Sequence, residues 1–232
     1  MLTILQARMS STRLPGKVLM PLAGAPMLAR QIERVRRAKS AGTLVVATSD
    51  HPSDDPLVLL CRSLEVACYR GPLHDVLGRY RGAARRFGPS DHVVRLTGDC
   101  PLADPEVIDA VIAHHLAEEA DYTSNTQVQT FPKGLDVEVF KAALLERAFK
   151  ETRDPYDREH VTPFFYRHPK WFKLANLECD PPLGSLRWTV DTPEDYAFAA
   201  RVYDALYPVN PAFTSEDVAR LTADDPTRGR EG

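Results

Sequence analysis

Short runs of aliphatic and β-branched residues alternate with longer segments of helical periodicity over the first 120 positions. The short runs predict strands at residues 2–6, 43–47, 65–68 and 92–96. The longer segments predict helices at residues 26–38, 54–64, 74–87 and 104–118. Strands that alternate with helices are typical of an α/β fold, in which crossover helices join the strands of a mostly parallel central sheet.

Beyond residue 120 the pattern becomes less regular. Strands are predicted at residues 122–126, 135–140, 171–178 and 186–190. Helices are predicted at residues 142–150, 158–167, 193–207 and 215–222. Residues 224–232 offer no apolar side chains to a core, so we expect a disordered tail there. Because no repeat or linker interrupts the sequence, we expect one domain over residues 1–223, with an inserted dimerisation or lid segment at about residues 127–170.

Charge is nearly balanced over the 232 residues: 29 Lys and Arg oppose 32 Asp and Glu, for a net charge of −3. Nucleic-acid binding depends on clustered cations. A chain with this charge balance has no overall positive potential that would attract a nucleic acid. No run of about 18 apolar residues is present, and no membrane span is expected. The first residues lack the basic-then-apolar order of a signal peptide, so we expect a cytoplasmic protein. The four cysteines have no metal-ligand spacing and suggest no disulfide framework, which favours free thiols.

Three cations are concentrated between the first predicted strand and the first predicted helix. Arg8, Arg13 and Lys17 lie there within ten residues, together with hydroxyl side chains and Gly16. Loops at the carboxyl ends of parallel strands form the ligand crevice of an open α/β sheet. An arginine fork and a compact lysine ammonium both suit phosphate oxygens, which favours a polyphosphate ligand. A solvated basic loop is the alternative, and the residue order excludes a P-loop.

Two aspartates each follow an apolar run. Asp99 comes after the last predicted strand of the first half, and Asp191 comes after the last predicted strand of the chain. If these strands are neighbours, the two carboxylates meet, and one or two carboxylates with substrate phosphates are sufficient to hold Mg²⁺. Gly98 would let a nucleotide approach the backbone closely. The alternative is that each aspartate caps a helix or stabilises a turn, and Asp191 does precede a predicted helix start at Pro193.

The cation-rich loop at residues 6–17 and the segments that end in Asp99 and Asp191 follow one another in the order found in a known family. The sequence resembles the cytidylyltransferases that activate acidic eight- and nine-carbon sugars, and most of all the branch named for spore coat polysaccharide biosynthesis. The similarity spans roughly residues 2–205. Its motifs are the loop at residues 6–17, Arg70-Gly71 with Asp75, and the segments 96–102, 134–140, 158–163 and 189–195. The resemblance implies a Rossmann-like, three-layer nucleotidyltransferase fold of the glycosyltransferase-A type, a requirement for Mg²⁺, and a homodimer built through the middle segment.

The resemblance also implies roles for individual residues. Nucleotide contacts are expected from Ala7, Arg8, Arg13, Lys17, Thr48, Ser49, Asp50, Arg70 and Gly98. Mg²⁺ ligation is expected from Asp99 and Asp191, and catalytic roles from Arg13, Lys17 and Asp99. Acceptor contacts are expected from Asp136, Glu138, Glu159 and His160. As alternatives, Asp136 and Glu138 form the solvent-exposed face of a strand, and Glu159 and His160 are interface or capping residues.

The resemblance implies that a sugar hydroxyl attacks the α-phosphorus of CTP and displaces pyrophosphate, which yields a CMP-sugar for surface or spore-coat polysaccharide biosynthesis. The expected partners are CTP, an acidic sugar and a second copy of the chain. One alternative is a sugar-phosphate nucleotidylyltransferase or a glycosyltransferase of the same fold. A glycosyltransferase would usually carry Asp-x-Asp where this chain has Gly98-Asp99-Cys100. Another alternative is a catalytically silent binding subunit of a polysaccharide-assembly complex.

Overall fold

The computed structural model describes residues 1–223, and the tail predicted at residues 224–232 lies outside them. The strands are β1 (Leu2–Gln6), β2 (Pro21–Leu22), β3 (Ala25–Pro26), β4 (Thr43–Ser49), β5 (Ala67–Gly71), β6 (His92–Thr97), β7 (Tyr122–Ser124), β8 (Glu138–Lys141) and β9 (Leu174–Asn176). The α-helices are α1 (Met27–Val35), α2 (Asp55–Ser63), α3 (Val76–Phe87), α4 (Pro105–Ala117), α5 (Ala143–Glu151), α6 (Pro155–His160), α7 (Pro163–Tyr166), α8 (Pro193–Leu206) and α9 (Ser215–Leu221). Short 3₁₀ helices lie at Lys17–Leu19 and Pro52–Asp54. No helix of the described chain is long and apolar enough to cross a membrane.

Seven strands of the described chain form one sheet in the order β5-β4-β1-β6-β8-β7-β9, and β2 pairs with β3 in a separate hairpin. β1 lies inside the sheet, parallel to β4 on one side and to β6 on the other, and β4 is parallel to β5. β8 runs antiparallel to both β6 and β7, and β9 is parallel to β7. The mostly parallel α/β sheet that the sequence predicts is therefore confirmed.

Apolar side chains pack on both faces of the sheet, which gives the fold three layers. In β1, Leu2 and Ile4 join a cluster with residues of α3, α5 and α7, whereas Leu5 joins a cluster with residues of α1, α2, α4 and α8. Successive side chains of a strand point to opposite faces, so the two clusters lie on opposite sides of the sheet. Because its inner strands are covered on both faces, they are largely apolar, as is usual for parallel strands.

The direction in which the sheet grows along the chain reverses at β1. β4 and then β5 are added on one side of β1, and β6 is added on the other side. Open α/β sheets bind ligands at such a point, outside the carboxyl ends of the strands. Gly98 lets these ends meet: its N–H donates to Gln6 O at 2.7 Å, and a Cβ atom there would lie 2.9 Å from both Gln6 O and Ala7 Cβ. A side chain at position 98 would therefore force β1 and β6 apart.

Two local predictions are wrong. The helix predicted at residues 158–167 is divided into α6 and α7, because Val161 has a φ of 71° and Pro163 begins the second helix. The strand predicted at residues 186–190 does not form, and Arg187 makes only an isolated bridge to Lys133.

The segment at residues 127–170, which the sequence suggests as an insertion, contributes directly to the sheet. It supplies β8, which lies between β6 and β7. It also supplies α5, whose buried Leu144 and Leu145 join the cluster on the α3 face. Part of the segment thus belongs to the framework of the fold, and its role in dimerisation stays a prediction.

Candidate active site

A cavity of about 310 Å³ opens at the carboxyl ends of β1 and β6. Among its lining residues are the predicted site residues Ala7, Arg8, Arg13, Lys17, Gly98, Asp99, Glu159, His160 and Asp191. The loop after β1, the end of β6, the end of α6 and the segment before α8 therefore meet at one place. These segments are far apart in the sequence, and the sheet topology brings them together.

The loop after β1 is organised around the backbone of Met9. The Met9 carbonyl accepts hydrogen bonds from the N–H groups of Ser11 and Gly16, both at 2.9 Å. Gly16 has a φ of 73°, a left-handed conformation that glycine adopts without strain, and the chain then enters its first 3₁₀ helix. This helix buries Lys17, which is only 7% exposed.

The Lys17 ammonium lies between the two aspartates that the sequence indicates. Its Nζ is 2.9 Å from Asp191 Oδ1 and 3.5 Å from Asp99 Oδ2. It also donates to the Val190 carbonyl at 2.6 Å. The Val190 N–H in turn donates to Asp99 O at 2.8 Å, which fixes this segment to the end of β6. The two carboxylates therefore meet although no strand precedes Asp191.

Asp191 does not cap the helix that follows it. The N-cap of α8 is Thr192, which forms a reciprocal capping box with the third helical residue. Asp191 is instead surrounded by cations, because the Nη2 atoms of Arg13 and Arg187 lie 2.9 Å and 2.7 Å from its Oδ2. Burial alone would raise the pKa of Asp191, but the hydrogen bond and charge of Lys17, aided by the two arginines, outweigh it and hold the pKa below its usual range.

Arg187 is not among the predicted site residues, although it fixes Asp191. Its Nε lies 3.3 Å from Asp195 Oδ1, and Asp195 Oδ2 accepts the Asp191 N–H at 2.9 Å. Arg187 and Asp195 thus hold both the carboxylate and the backbone of Asp191. Arg187 lies four residues before Asp191 in a segment predicted as a strand, where this spacing does not bring two side chains together, so no local pattern of the sequence indicates the contact.

The donor set at Asp99 and Asp191 fits Mg²⁺ bound together with a phosphorylated substrate. The two carboxylates already face one common cation, the Lys17 ammonium. Among residues 1–223, no group of three or more His, Cys, Asp or Glu is arranged to hold a metal ion by itself. Mg²⁺ keeps several non-protein ligands and is commonly held by one or two carboxylates plus substrate phosphates. Two carboxylates are therefore a sufficient protein contribution.

A second cavity, of about 370 Å³, adjoins the first and shares Arg95, Thr97 and His160 with it. Asp136 and Glu138 line this second cavity. Glu138 does not belong to a solvent-exposed face, because its side chain is 9% exposed and forms an ion pair with Arg95. It also accepts a hydrogen bond from the Tyr122 hydroxyl at 2.7 Å.

Asp136 carries a titratable carboxyl into the second cavity. The pKa of Asp136 is raised to about 6, chiefly by burial and further by the negative charges of Glu138 and Asp99. A carboxyl group with this pKa exchanges protons close to neutral pH. Asp136 can therefore accept or donate a proton next to the cation-lined cavity.

Two predicted nucleotide contacts, Thr48 and Ser49, do not line the first cavity. Both residues are fully buried, and both hydroxyl groups donate to the Asp54 carboxylate. The Ser49 N–H donates to the same carboxylate oxygen at 3.0 Å. These polar side chains at the end of β4 are therefore engaged within the protein.

Arg70 and Asp50 also lie outside the first cavity. Arg70 donates to the carbonyl groups of Ser49 and His51, each at 3.0 Å, and its Nη1 lies 2.7 Å from Asp55 Oδ1. Asp50 lines a separate open groove at the ends of β4 and β5. Arg70 thus stabilises the loop after β4 rather than the first cavity.

Glu159 and His160 lie in the last turn of α6, at the edge of the first cavity. Glu159 Oε1 is 3.8 Å from Arg8 Nη2, and the His160 ring centroid is 4.3 Å from that of Tyr156. Neither residue caps α6, whose N-cap is Asp154, so the capping alternative is wrong. His160 also lines the second cavity and so stands where the two cavities join.

The chain is similar to known cytidylyltransferases in both sequence and fold. A family model described as cytidylyltransferase matches residues 2–216. The chain is 38% identical over 210 residues to the spore coat polysaccharide biosynthesis protein SpsF of Bacillus subtilis, with 87% of this chain and 85% of that protein covered. It is 36% identical over 240 aligned residues to a 3-deoxy-manno-octulosonate cytidylyltransferase of Anaeromyxobacter dehalogenans, with 95% of each covered. A solved cytidylyltransferase structure from Leptospira borgpetersenii matches with a TM-score of 0.92 at 31% identity and covers 99% of this chain and 96% of that one. The chain therefore belongs to the cytidylyltransferase family.

Proposed function

We propose that this chain transfers the cytidylyl group of CTP to a sugar hydroxyl and releases pyrophosphate. The observation that carries the proposal is the first cavity, in which Arg8, Arg13 and Lys17 lie with the carboxylates of Asp99 and Asp191. This combination of three cations and two carboxylates suits a triphosphate and a divalent cation. Membership of the cytidylyltransferase family supports the same reaction.

In the proposed reaction, the sugar hydroxyl oxygen forms a bond to the α-phosphorus of CTP. The bond from that phosphorus to the bridging oxygen breaks, so pyrophosphate leaves with the electron pair, and the proton of the hydroxyl passes to solvent water. Transfer at phosphorus depends mainly on positioning and charge neutralisation. Arg8 and Arg13 would hold the triphosphate by charge-assisted hydrogen bonds. Lys17 would donate to the oxygens on which negative charge develops.

Asp99 and Asp191 are proposed to hold Mg²⁺ together with phosphate oxygens. When bound, Mg²⁺ supplies charge neutralisation at the phosphates and favours ionisation of a nearby hydroxyl. The Arg187–Asp195 contact would keep the Asp191 carboxylate oriented toward the first cavity.

The second cavity is the proposed acceptor site. Asp136, Glu138 and His160 line it, and Glu159 lies at the edge of the first cavity nearby. We propose an acidic sugar as the acceptor class, because the relative from A. dehalogenans is named for such an acceptor. We further propose a cytoplasmic homodimer that serves surface or spore-coat polysaccharide biosynthesis, because the B. subtilis relative is named for spore coat polysaccharide biosynthesis.

Pyrophosphate release from the purified protein tests the proposal. The protein is incubated with Mg²⁺, each of the four nucleoside triphosphates, and a panel of acidic sugars that includes 3-deoxy-manno-octulosonate. We expect release only when CTP and an accepted sugar are both present. Binding of CTP without release from any pair would contradict the enzymatic proposal and favour a silent binding subunit.

A further inference from the structure

Asp54 is a fully buried carboxylate that follows β4 at the end of a 3₁₀ helix. Its Oδ2 accepts three hydrogen bonds, from the Thr48 hydroxyl, the Ser49 N–H and the Ser49 hydroxyl. Its Oδ1 accepts one further bond, from the Met9 N–H at 2.8 Å. Burial would raise the pKa of Asp54, but the bonds from Ser49, Met9 and Thr48 outweigh it and lower the pKa, so the group is ionised at neutral pH.

The bond to Met9 ties Asp54 to the loop that carries the cations. Met9 is the residue around which this loop folds, because its carbonyl accepts the N–H groups of Ser11 and Gly16. The N–H group of the same residue donates to the Asp54 carboxylate. The buried carboxylate of Asp54 therefore fixes the backbone of the loop at Met9, the residue that holds the loop's own hydrogen bonds.

Asp54 is itself held in place by a rigid support. Arg70 on β5 donates to the carbonyl groups of Ser49 and His51 and pairs with Asp55, so it secures the chain on both sides of Asp54. A hydrogen bond to an ionised acceptor is stronger than one to a neutral acceptor, and an acceptor that is held in place also fixes the direction of the bond. The position of Met9 is thus set by β4 and β5.

We infer that Asp54 is a positioning residue for the nucleotide: it fixes the loop at residues 7–17 so that Arg8, Arg13 and Lys17 reach the triphosphate. Thr48, Ser49 and Arg70 then support nucleotide binding through Asp54 and not by direct contact. The inference rests on the proposed function in one respect, that the loop binds a triphosphate.

The variant Asp54→Asn tests this inference with little change in size. An amide has one acceptor oxygen, so it cannot accept on both sides. The three donors around Oδ2 favour the oxygen there, which turns the amide NH₂ toward the Met9 N–H and removes that bond. Asp104→Asn is the matched control, because Asp104 is also buried and accepts N–H groups from two segments, at Glu106 and Ser215.

Three measurements are compared between the variants: thermal stability, the steady-state constants for CTP, and the Kd of inorganic triphosphate. We expect Asp54→Asn to raise the KM for CTP and the Kd of triphosphate about tenfold and to lower kcat as well, because the displaced loop also carries Lys17, which acts on the developing charge. Asp104→Asn should lose comparable stability and change both binding constants by less than about twofold.

Amide hydrogen exchange supplies a readout that does not depend on CTP. Exchange at Met9, Ser11 and Gly16 should accelerate in Asp54→Asn and not in Asp104→Asn. Unchanged exchange and unchanged triphosphate affinity in Asp54→Asn would overturn the inference, and so would equal losses of affinity in both variants. Failure of the wild-type protein to bind CTP or triphosphate would overturn the proposed function, while the exchange comparison would still decide whether Asp54 orders the loop.

Discussion

Replacing Lys17 by methionine tests the charge arrangement of the first cavity. Lys17 is 7% exposed, and its ammonium contacts Asp191 at 2.9 Å and Asp99 at 3.5 Å. Methionine retains much of the side-chain volume but leaves the two carboxylates facing each other without the ammonium. Removing one partner of a buried ion pair costs about 3–5 kcal/mol. Because Arg13 and Arg187 still neutralise Asp191, we expect the lower end, a loss of about 3 kcal/mol in the free energy of unfolding.

Urea and thermal unfolding of wild type and Lys17→Met, with and without Mg²⁺, measure this effect. For a chain of this size the expected loss lowers Tm by about 6–12 °C. In the variant, Asp99 and Asp191 have lost the ammonium that competes with a divalent cation, so Mg²⁺ should bind it more tightly than it binds wild type. Mg²⁺ at about 100 times its Kd should then restore about 2.7 kcal/mol.

Lys170→Met is the control, because Lys170 is exposed and the substitution removes the same charge from the surface. It should change neither the stability nor the response to Mg²⁺. A Lys17→Met variant as stable as wild type, or equal stabilisation of both proteins by Mg²⁺ at the same concentration, would contradict a Lys17 ammonium that compensates the two carboxylates.

Three further predictions follow from the site. Asp99→Asn should abolish Mg²⁺-dependent pyrophosphate release while circular dichroism stays unchanged, and full activity in that variant would remove Asp99 from the proposed mechanism. Gly98→Ala should cost about 1–3 kcal/mol of unfolding free energy, measured in urea, because its Cβ would lie 2.9 Å from Ala7 Cβ; an equally stable variant would contradict the close approach of β1 and β6. The pKa of Asp136 is raised from 3.8 to about 6 by folding, so its stabilising contribution is present below about pH 4 and lost as the pH rises through 6. The free energy of unfolding of Asp136→Asn minus that of wild type should therefore be larger at pH 8 than at pH 4. A difference that does not change with pH would contradict a raised pKa of Asp136.

The first half of the fold could be predicted closely because each element carries a local signal. The predicted strand at residues 2–6 coincides with β1, and Asp104 before Pro105 correctly marks the start of α4. The interruption at Val161 could not be predicted, because a β-branched residue gives no local sign of a positive φ. That residue is fully buried, so the tertiary packing holds its conformation.

The composition of a segment does not predict a strand correctly where the segment pairs with loops instead of with another strand. Residues 186–190 have the composition of a strand, but Trp188 and Thr189 donate their N–H groups to Lys133 O, and Val190 donates to Asp99 O. These hydrogen bonds depend on the positions of loops that are distant in the sequence, so no local sequence pattern predicts them. The sequence predicts the meeting of Asp99 with Asp191 only if the strands before them are neighbours, whereas the structure achieves it without a strand before Asp191, through the bond from the Val190 N–H to Asp99 O.

The direction of the polar side chains at the end of β4 could not be predicted. β4 is buried on both faces, so its sequence lacks the alternation that separates a solvent-facing side from a core-facing side. A short hydroxyl residue there has the same appearance in the sequence whether it faces a ligand or a buried carboxylate. Thr48 and Ser49 face Asp54, and Asp54 itself lies in a segment whose sequence indicates only a helix start.

The charges of the first cavity give a physical reason for nucleotide and Mg²⁺ to bind together. Lys17 and Arg13 are paired with Asp99 and Asp191, so the cations that a triphosphate needs are already engaged with carboxylates. Moving these cations to phosphate oxygens would take Lys17 away from Asp99 and leave Asp191 with Arg187 alone, which is unfavourable for partly buried carboxylates. Under the proposed function, Asp99 and Asp191 would be compensated by the divalent cation that they hold, and Lys17 and Arg13 would then be free to donate to the phosphates. Under the proposed function, each ligand would therefore favour the binding of the other, and a nearly neutral chain would form a polyanion site because its charges would change partners when the ligands bind.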